Sequence, residues 1–218
     1  PGVMGLSDFT KMKGMEITLN GKPFEHLLYH YRLAYSGWQY AQIIQGGESF
    51  VALSEGLQNA LAASGGAPQE HRTDSLSAAY RNSGGHRTRE LTRFYDDLCE
   101  HYRMVPTRNN KGKANENGAV ESPHGHLKNR IKQLVYLRGS RDFESIADYQ
   151  AVIDQAAAGL NRQWEAMYEA EKAVLQTLPK RRVADYEILS AKVSCHSTLD
   201  VRCILYSVPS RLIGQQLE

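Results

Sequence analysis

The chain has 218 residues, 41% of them hydrophobic and 23% charged, with a formal net charge of +2. That composition fills a real core and predicts one main domain with one or two smaller appendages. No apolar run approaches the ~18 residues of a membrane span, Lys11 and Lys13 interrupt any signal-like block, and Cys99, Cys195 and Cys203 without a Cys-x-x-Cys word argue against a disulfide scaffold or structural zinc and fit a reducing cytosol.

The first hundred residues predict strands, then helix, strand, helix. Val3-Met4-Gly5-Leu6-Ser7-Asp8-Phe9-Thr10 is mostly apolar and fits a buried strand. Met15-Glu16-Ile17-Thr18-Leu19 alternates, and Asn20-Gly21 behind it is a hairpin signal. Residues 24–44 carry Tyr29, Tyr31, Leu33 and Tyr35 at period two, with Ser36-Gly37 as a turn or bulge. Together these predict three antiparallel strands.

Phe50, Leu53, Leu57 and Leu61 recur at helical spacing, and Ser64-Gly65-Gly66 followed by Pro68 ends that helix. Residues 70–74 form a short segment, and Leu91, Phe94, Tyr95 and Leu98 predict a second amphipathic helix. Arg103-Met104-Val105-Pro106 reads as a short strand and residues 109–118 as a mobile loop. Leu127, Ile131 and Leu134 predict a buried helical stripe, and an acidic amphipathic helix should run from about 145 to 171 with Ile146, Tyr149, Ile153, Leu160 and Trp164. Composition changes at Leu178-Pro179-Lys180-Arg181-Arg182, beyond which Val and Ile alternate with polar residues, as in a small β module.

Charge is unevenly distributed. Between 101 and 141 nine basic residues face only Glu116 and Glu121, a local charge of +7. Between 142 and 171 seven acids face only Arg162, a local charge of −6. The basic block is a candidate phosphate surface; its bland reading is a solvated face neutralised by the acids that follow.

Three carboxylates stand out by placement. Asp8 lies inside an apolar strand, where a bare carboxylate is costly without a partner or cation. Asp74 ends the short segment after the helix, and could equally be an N-cap. Glu121 precedes Pro123, which suits a first helical turn, so a helix is expected to begin near Glu121. His124 and Lys128 then share its face, three and seven residues on. Taken one by one, each acid reads more readily as structural than as catalytic.

The words around them change that reading. Leu6-Ser7-Asp8-Phe9-Thr10, Arg72-Thr73-Asp74-Ser75, the run Lys111-Gly112-Lys113-Ala114-Asn115-Glu116-Asn117-Gly118-Ala119-Val120-Glu121-Ser122-Pro123-His124-Gly125-His126-Leu127-Lys128 and Tyr206-Ser207-Val208-Pro209-Ser210-Arg211-Leu212-Ile213-Gly214 resemble the IstA-type transposases of bacterial insertion sequences. These are Asp-Asp-Glu (DDE) enzymes of the retroviral-integrase, ribonuclease H-like superfamily.

The resemblance implies an α/β (α+β) fold: a mixed five-stranded sheet flanked by helices over 1–141, a helical segment over 142–178 and a small β-barrel-like module over 179–218. It implies metal-dependent DNA 3′-end cleavage and strand transfer, with Asp8, Asp74 and Glu121 holding two Mg²⁺ ions for which Mn²⁺ substitutes. Glu116 is the alternative to Glu121. Lys128, Lys111, Lys113, His124, Lys132 and Arg130 are expected to contact DNA.

The implied partners are transposon ends and target DNA, further copies of the chain, and an AAA+ ATPase helper, with no membrane and a bacterial cytosolic, nucleoid-associated setting. The chain opens on Pro1 and lacks the helix-turn-helix expected of the family, which reads as a fragment. Alternatives are a ribonuclease H-like nuclease that cuts without joining, or an inactive DNA-binding fragment. The remaining histidines (His26, His30, His71, His86, His101, His126, His196) read as scattered structural or surface residues.

Overall fold

In a computed structural model of the chain, residues 1–73, 85–107, 114–184, 190–201 and 204–217 are described, with backbone alone at 85–92, 114–123 and 204. The chain divides into two compact units, Pro1–Val183 and Ala184–Glu218.

The first unit is built on a five-stranded sheet in the order β5-β4-β1-β6-β7. Its strands are β1 (Met4–Thr10), β4 (Leu27–Leu33), β5 (Gln39–Ile44), β6 (Glu70–Thr73) and β7 (Val105–Thr107). β1, β4 and β5 run antiparallel, whereas β6 and β7 run parallel to β1. The expected Met15–Leu19 strand does not join this sheet. Instead β2 (Thr18–Leu19) and β3 (Lys22–Pro23) form a small hairpin whose outer partner is β8 (Asp142–Phe143). Asn20 and Gly21 both take positive φ, 49° and 74°, as a tight primed turn requires.

Alternation along β1 and β4 sends side chains to two cores. On one face Phe9, Tyr29, Tyr31 and Leu33 pack with Leu53, Leu57 and Leu61 of α1 (Phe50–Ser64) and with Tyr95 and Leu98 of α2 (Gly85–His101). On the other, Leu28, Ala41 and Ile43 pack with Leu127, Ile131 and Val135 of α3 (Ala114–Arg138) and with Tyr149 and Ile153 of α4 (Ile146–Asn161). The helical segment after residue 142 is therefore part of the first unit. A 3-10 turn (Arg162–Trp164) separates α4 from α5 (Glu165–Lys172), so the acidic helix expected to be continuous is broken. Phe94 and Trp164, expected on buried stripes, are half exposed.

α3 begins at Ala114, earlier than its proline suggested. Residues 114–118, expected in a loop, are helical, and the helix runs on through Pro123. The proline costs the turn one backbone donor, and the buried stripe that follows it holds the helix onto the sheet. Residues 108–113 lie outside the described residues.

Polar groups tie the layers together. The Glu171 carboxylate, fully buried, accepts from the backbone N–H of Gly2 and of Ser36, both at 2.9 Å. The outward edge of β5 is closed by side-chain amides: Gln150 bonds Ala41 O and Ile43 N, and Asn161 bonds Gln39 O and N. Such pairing blunts an edge that could otherwise recruit another strand. Tyr95 Oη donates to His71 O at 3.1 Å and so accepts from His71 Nδ1 at 2.7 Å; the bare Nε2 then accepts from Ser7 Oγ at 3.0 Å.

The second unit holds two small ladders, β9 (Ala191–Lys192) with β12 (Gln216–Leu217) and β10 (Thr198–Val201) with β11 (Ile204–Ser207). The residues read as a small β module thus include short antiparallel strands, with Val201 at the end of β10 and Ile204 at the start of β11.

Two predictions follow from this packing. A Cβ on Gly56 of α1 would stand 2.6 Å from Cδ1 of the Tyr29 ring. The helix-propensity gain of Gly56→Ala, about 1 kcal/mol, is outweighed by overpacking of about 1–3 kcal/mol. Urea denaturation should show net destabilisation; an unchanged or raised midpoint contradicts the contact. Burial lowers both His30 and His71 from 6.5 to about 3. The unfolded chain therefore binds protons that the folded chain does not. Stability should be full above pH 6.5 and fall as pH drops towards 3, by about 1.4 kcal/mol per pH unit for each histidine. Urea midpoints that stay flat between pH 7 and pH 4 contradict this.

Candidate metal and phosphate site

Asp8 sits one residue past Ser7, the last β1 residue paired with β6, and directly across β1–β4 from His30. Its Oδ1 accepts from the Phe9 backbone N–H at 2.8 Å. Its side chain keeps 31% of its surface exposed, although it lies on the central strand of the sheet. The antiparallel register places Asp8, His30 and Ala41 in one row on the face covered by α3 and α4.

α3 brings His124 onto that row. His124 Nδ1 lies 3.0 Å from His30 Nδ1, and His30 Nε2 lies 2.9 Å from Gln39 Oε1. His124 Nε2 faces the Asp8 carboxylate at 3.6 Å. It is buried and has no hydrogen-bond partner among the described residues. His124, expected to contact DNA, is thus largely buried at 8% exposure. Four residues on from His124, and so on the same side of α3, comes Lys128, which is half-buried. Desolvation, with the neighbouring Lys13 and Lys132 charges, lowers its ammonium below the usual lysine range, while Asp8 pulls it back up.

Glu48, in the loop before α1, is an acid that sequence reasoning missed. Desolvation first, and then the nearby Asp8 charge, raise its carboxyl, against an opposing pull from Lys11. Nothing in its local sequence marks it; only the fold brings it near Asp8.

The other expected ligands are only partly visible. Asp74 lies outside the described residues, as do Lys111 and Lys113. It follows Thr73, the β6 residue paired with Ser7 of β1. Glu121 belongs to α3, one turn before His124, with its backbone alone described; the same holds for Glu116. Among the described residues, no three His, Cys, Asp or Glu side chains stand close enough to hold a metal ion. What the described part offers a cation is one carboxylate and one buried, orphaned ring nitrogen.

Among the described residues, the basic block does not form a single surface. Arg103 donates to Thr177 O at 2.7 Å, Arg138 lies over the Phe143 ring at 4.3 Å and Arg141 over the Tyr136 ring at 5.6 Å. Arg130 lies beside Gly159 of α4, two positions round the helix from Lys128 and so away from Asp8. Helical periodicity disperses charges that look continuous in one dimension; among the described residues, Lys128 of α3 has the Asp8 charge near it, with Lys13 and Lys132 as its neighbouring cations.

Comparison with known proteins fits this architecture. The chain matches no protein-family model. A Sinorhizobium fredii (strain NBRC 101917 / NGR234) protein, the uncharacterized y4jA/y4nE/y4sE, is 51% identical over 217 residues, covering 100% of this chain. The chain spans 43% of that relative's length. Among solved structures, the catalytic core domain of BIV integrase is similar with a TM-score of 0.50 and 17% identity, over 79% of this chain and 98% of that one. A chain of the simian T-cell lymphotropic virus intasome in complex with the PP2A regulatory subunit B56 gamma is similar with a TM-score of 0.56 and 14% identity, over 88% of this chain and 62% of that one. No helix among the described residues is long and apolar enough to cross a membrane. By architecture, the chain has the ribonuclease H-like fold of the retroviral integrase catalytic cores.

Proposed function

We propose that this chain is the catalytic core of a transposase, a metal-dependent polynucleotidyl transferase that cuts DNA to expose a 3′ end and joins that end to target DNA. Asp8 is the observation that carries the reading. It is a carboxylate kept partly exposed on the central strand of an integrase-like sheet, facing a half-buried lysine's charge. The helix that contains Glu121 packs over it, and the strand that precedes Asp74 pairs beside it.

In this reading Asp8, Asp74 and Glu121 hold a pair of Mg²⁺ ions, with Mn²⁺ as the substitute. Hard carboxylate oxygens suit such ions. A bound pair would supply Lewis acidity to the scissile phosphate and a more acidic attacking hydroxyl. The chain's own cations act on the substrate. Lys128, already desolvated, gains by pairing its ammonium with a phosphate; Lys132 and Lys13 extend the positive potential along the backbone without reading sequence. The intasome match fits assembly of several copies on DNA; an AAA+ helper rests on the sequence resemblance alone.

Asp8→Asn, Asp74→Asn and Glu121→Gln should each lower 3′-end cleavage and strand transfer by on the order of 10²–10³-fold while leaving DNA binding unchanged, read with labelled oligonucleotides. Retained activity in Glu121→Gln overturns that assignment, and cleavage without joining in the native chain identifies a nuclease instead. Lys128→Ala should weaken DNA binding and reduce the salt slope of log K by about 1. An unaltered slope removes Lys128 from the phosphate contacts.

A further inference from the structure

We infer that residues 176–183, which follow α5, form a pinned strap whose exposed Lys180 and Arg181 grip the phosphate backbone of a DNA segment away from the Asp8 site. This contact presupposes the transposase reading above and adds a second grip on DNA to it.

Composition marks the run first. Residues 172–183 carry Lys172, Lys180, Arg181 and Arg182 and no acid. A basic run between two units is ordinarily a loose tether, and loose cations lose conformational freedom when they bind. Here the backbone is fastened at several points. Gln176 exchanges both backbone hydrogen bonds with Ala67, at 2.8 and 2.9 Å, and its side-chain amide donates to Pro68 O and Arg103 O. Arg103 donates to Thr177 O at 2.7 Å, and His101 Nε2 donates to Arg181 O at 2.8 Å. Leu178 and Val183 pack against the core that α1 and α2 share.

Gln58 of α1 closes the far end. It is 2% exposed. Its Oε1 accepts from Val183 N and from Tyr102 Oη, each at 2.8 Å, and its Nε2 donates to Val183 O at 3.1 Å and to Ser54 Oγ at 3.2 Å. All four bonding positions of the amide are used, two of them on the strap. Leaving a buried amide unpaired costs about 1–3 kcal/mol, so Gln58 and the strap hold each other in place.

Pinning decides which side chains face outward. The Arg182 guanidinium is turned to the protein, donating to Asn59 Oδ1 at 2.8 Å. Lys180 and Arg181 stand exposed on a backbone held on both sides, with Pro179 restricting the main chain just before them. Two adjacent cations on a fixed main chain, with no acid in their own run, suit a polyanion. Neutralising its phosphates releases condensed counterions and requires no base-edge geometry. The strap lies on the α1–α2 side of the sheet, whereas the row of Asp8, His30 and Ala41 lies on the α3–α4 side. The DNA it holds is therefore a different stretch from the phosphate that reacts.

The test reads anisotropy of a long labelled duplex against salt, with the whole chain and no divalent metal, so that binding is separated from chemistry. Lys180→Gln combined with Arg181→Gln should lower the slope of log K against log salt by about 2 and weaken binding on the order of tenfold or more at moderate salt. Gln58→Met removes the strap's bonds but no charge. It should speed trypsin cleavage after Lys180, Arg181 or Arg182 and weaken DNA binding several-fold with the slope unchanged. Should Gln58→Met not fold, the double variant decides, together with protection of those three bonds from trypsin by DNA. If the native chain binds DNA and the double variant keeps its slope, the strap is no DNA contact and the transposase reading stands. If the native chain binds no DNA at low salt, both fall. Lost self-association in the double variant with an unchanged slope assigns the strap to an acidic face of a second copy and overturns the DNA contact.

Discussion

A negative charge held on the central strand of a packed sheet is the constraint around which this molecule is arranged. Asp8 stands on β1 with hydrophobic clusters on both faces of the sheet, and burying an unpaired carboxylate there would cost several kcal/mol. The fold answers by leaving the side chain partly exposed, satisfying one oxygen with the Phe9 N–H, and bringing cations near it from α3 and the loop after β1. The gap between α3 and the sheet at His124 is polar for the same reason. Elsewhere along the same interface Leu127, Ile131 and Val135 seal it with apolar contacts.

Rigidity around that charge comes from groups that take no part in it. The Ser7–His71–Tyr95 chain fastens β1 to β6 and α2 on one face of the sheet, next to the position of Asp8. Gln39 and Asn161 fasten β5 to α4 on the other, behind His30. Glu171 joins α5 to the N-terminus and to the turn after β4. Apart from the half-buried Asn161, each is a buried polar group with matched partners, which favours a single arrangement of the strands over sliding alternatives. The phosphate and metal site proposed around Asp8 would depend on such backing to hold its ligands within fractions of an ångström.

Much of this is legible in the sequence. A short apolar run finds β1, period-two alternation finds β4, three- and four-residue spacing finds α1 and the buried stripe of α3, and Gly65 and Gly37 mark turns that take positive φ. The Asp8 anomaly is visible as a charge in an apolar run. Other features are set by tertiary contact and have no local signal. That His30 lies opposite Asp8 follows from strand register, which no single-strand pattern encodes. That Glu48 comes near Asp8 follows from the path of a loop. The helix through Pro123 runs against local propensity because the stripe beyond it pays for the lost bond. The basic block looked like one surface because a linear count ignores the direction in which each helical position points.

The account turns on Asp8 as a seat for divalent cations, and crystals of the chain soaked in Mn²⁺ test it most directly. An anomalous-scattering map should show a peak about 2–2.5 Å from an Asp8 carboxylate oxygen, with carboxylates of Asp74 and Glu121 on the same cluster. A well-ordered map with no peak at Asp8, or with Asp74 and Glu121 turned away from it, contradicts the account.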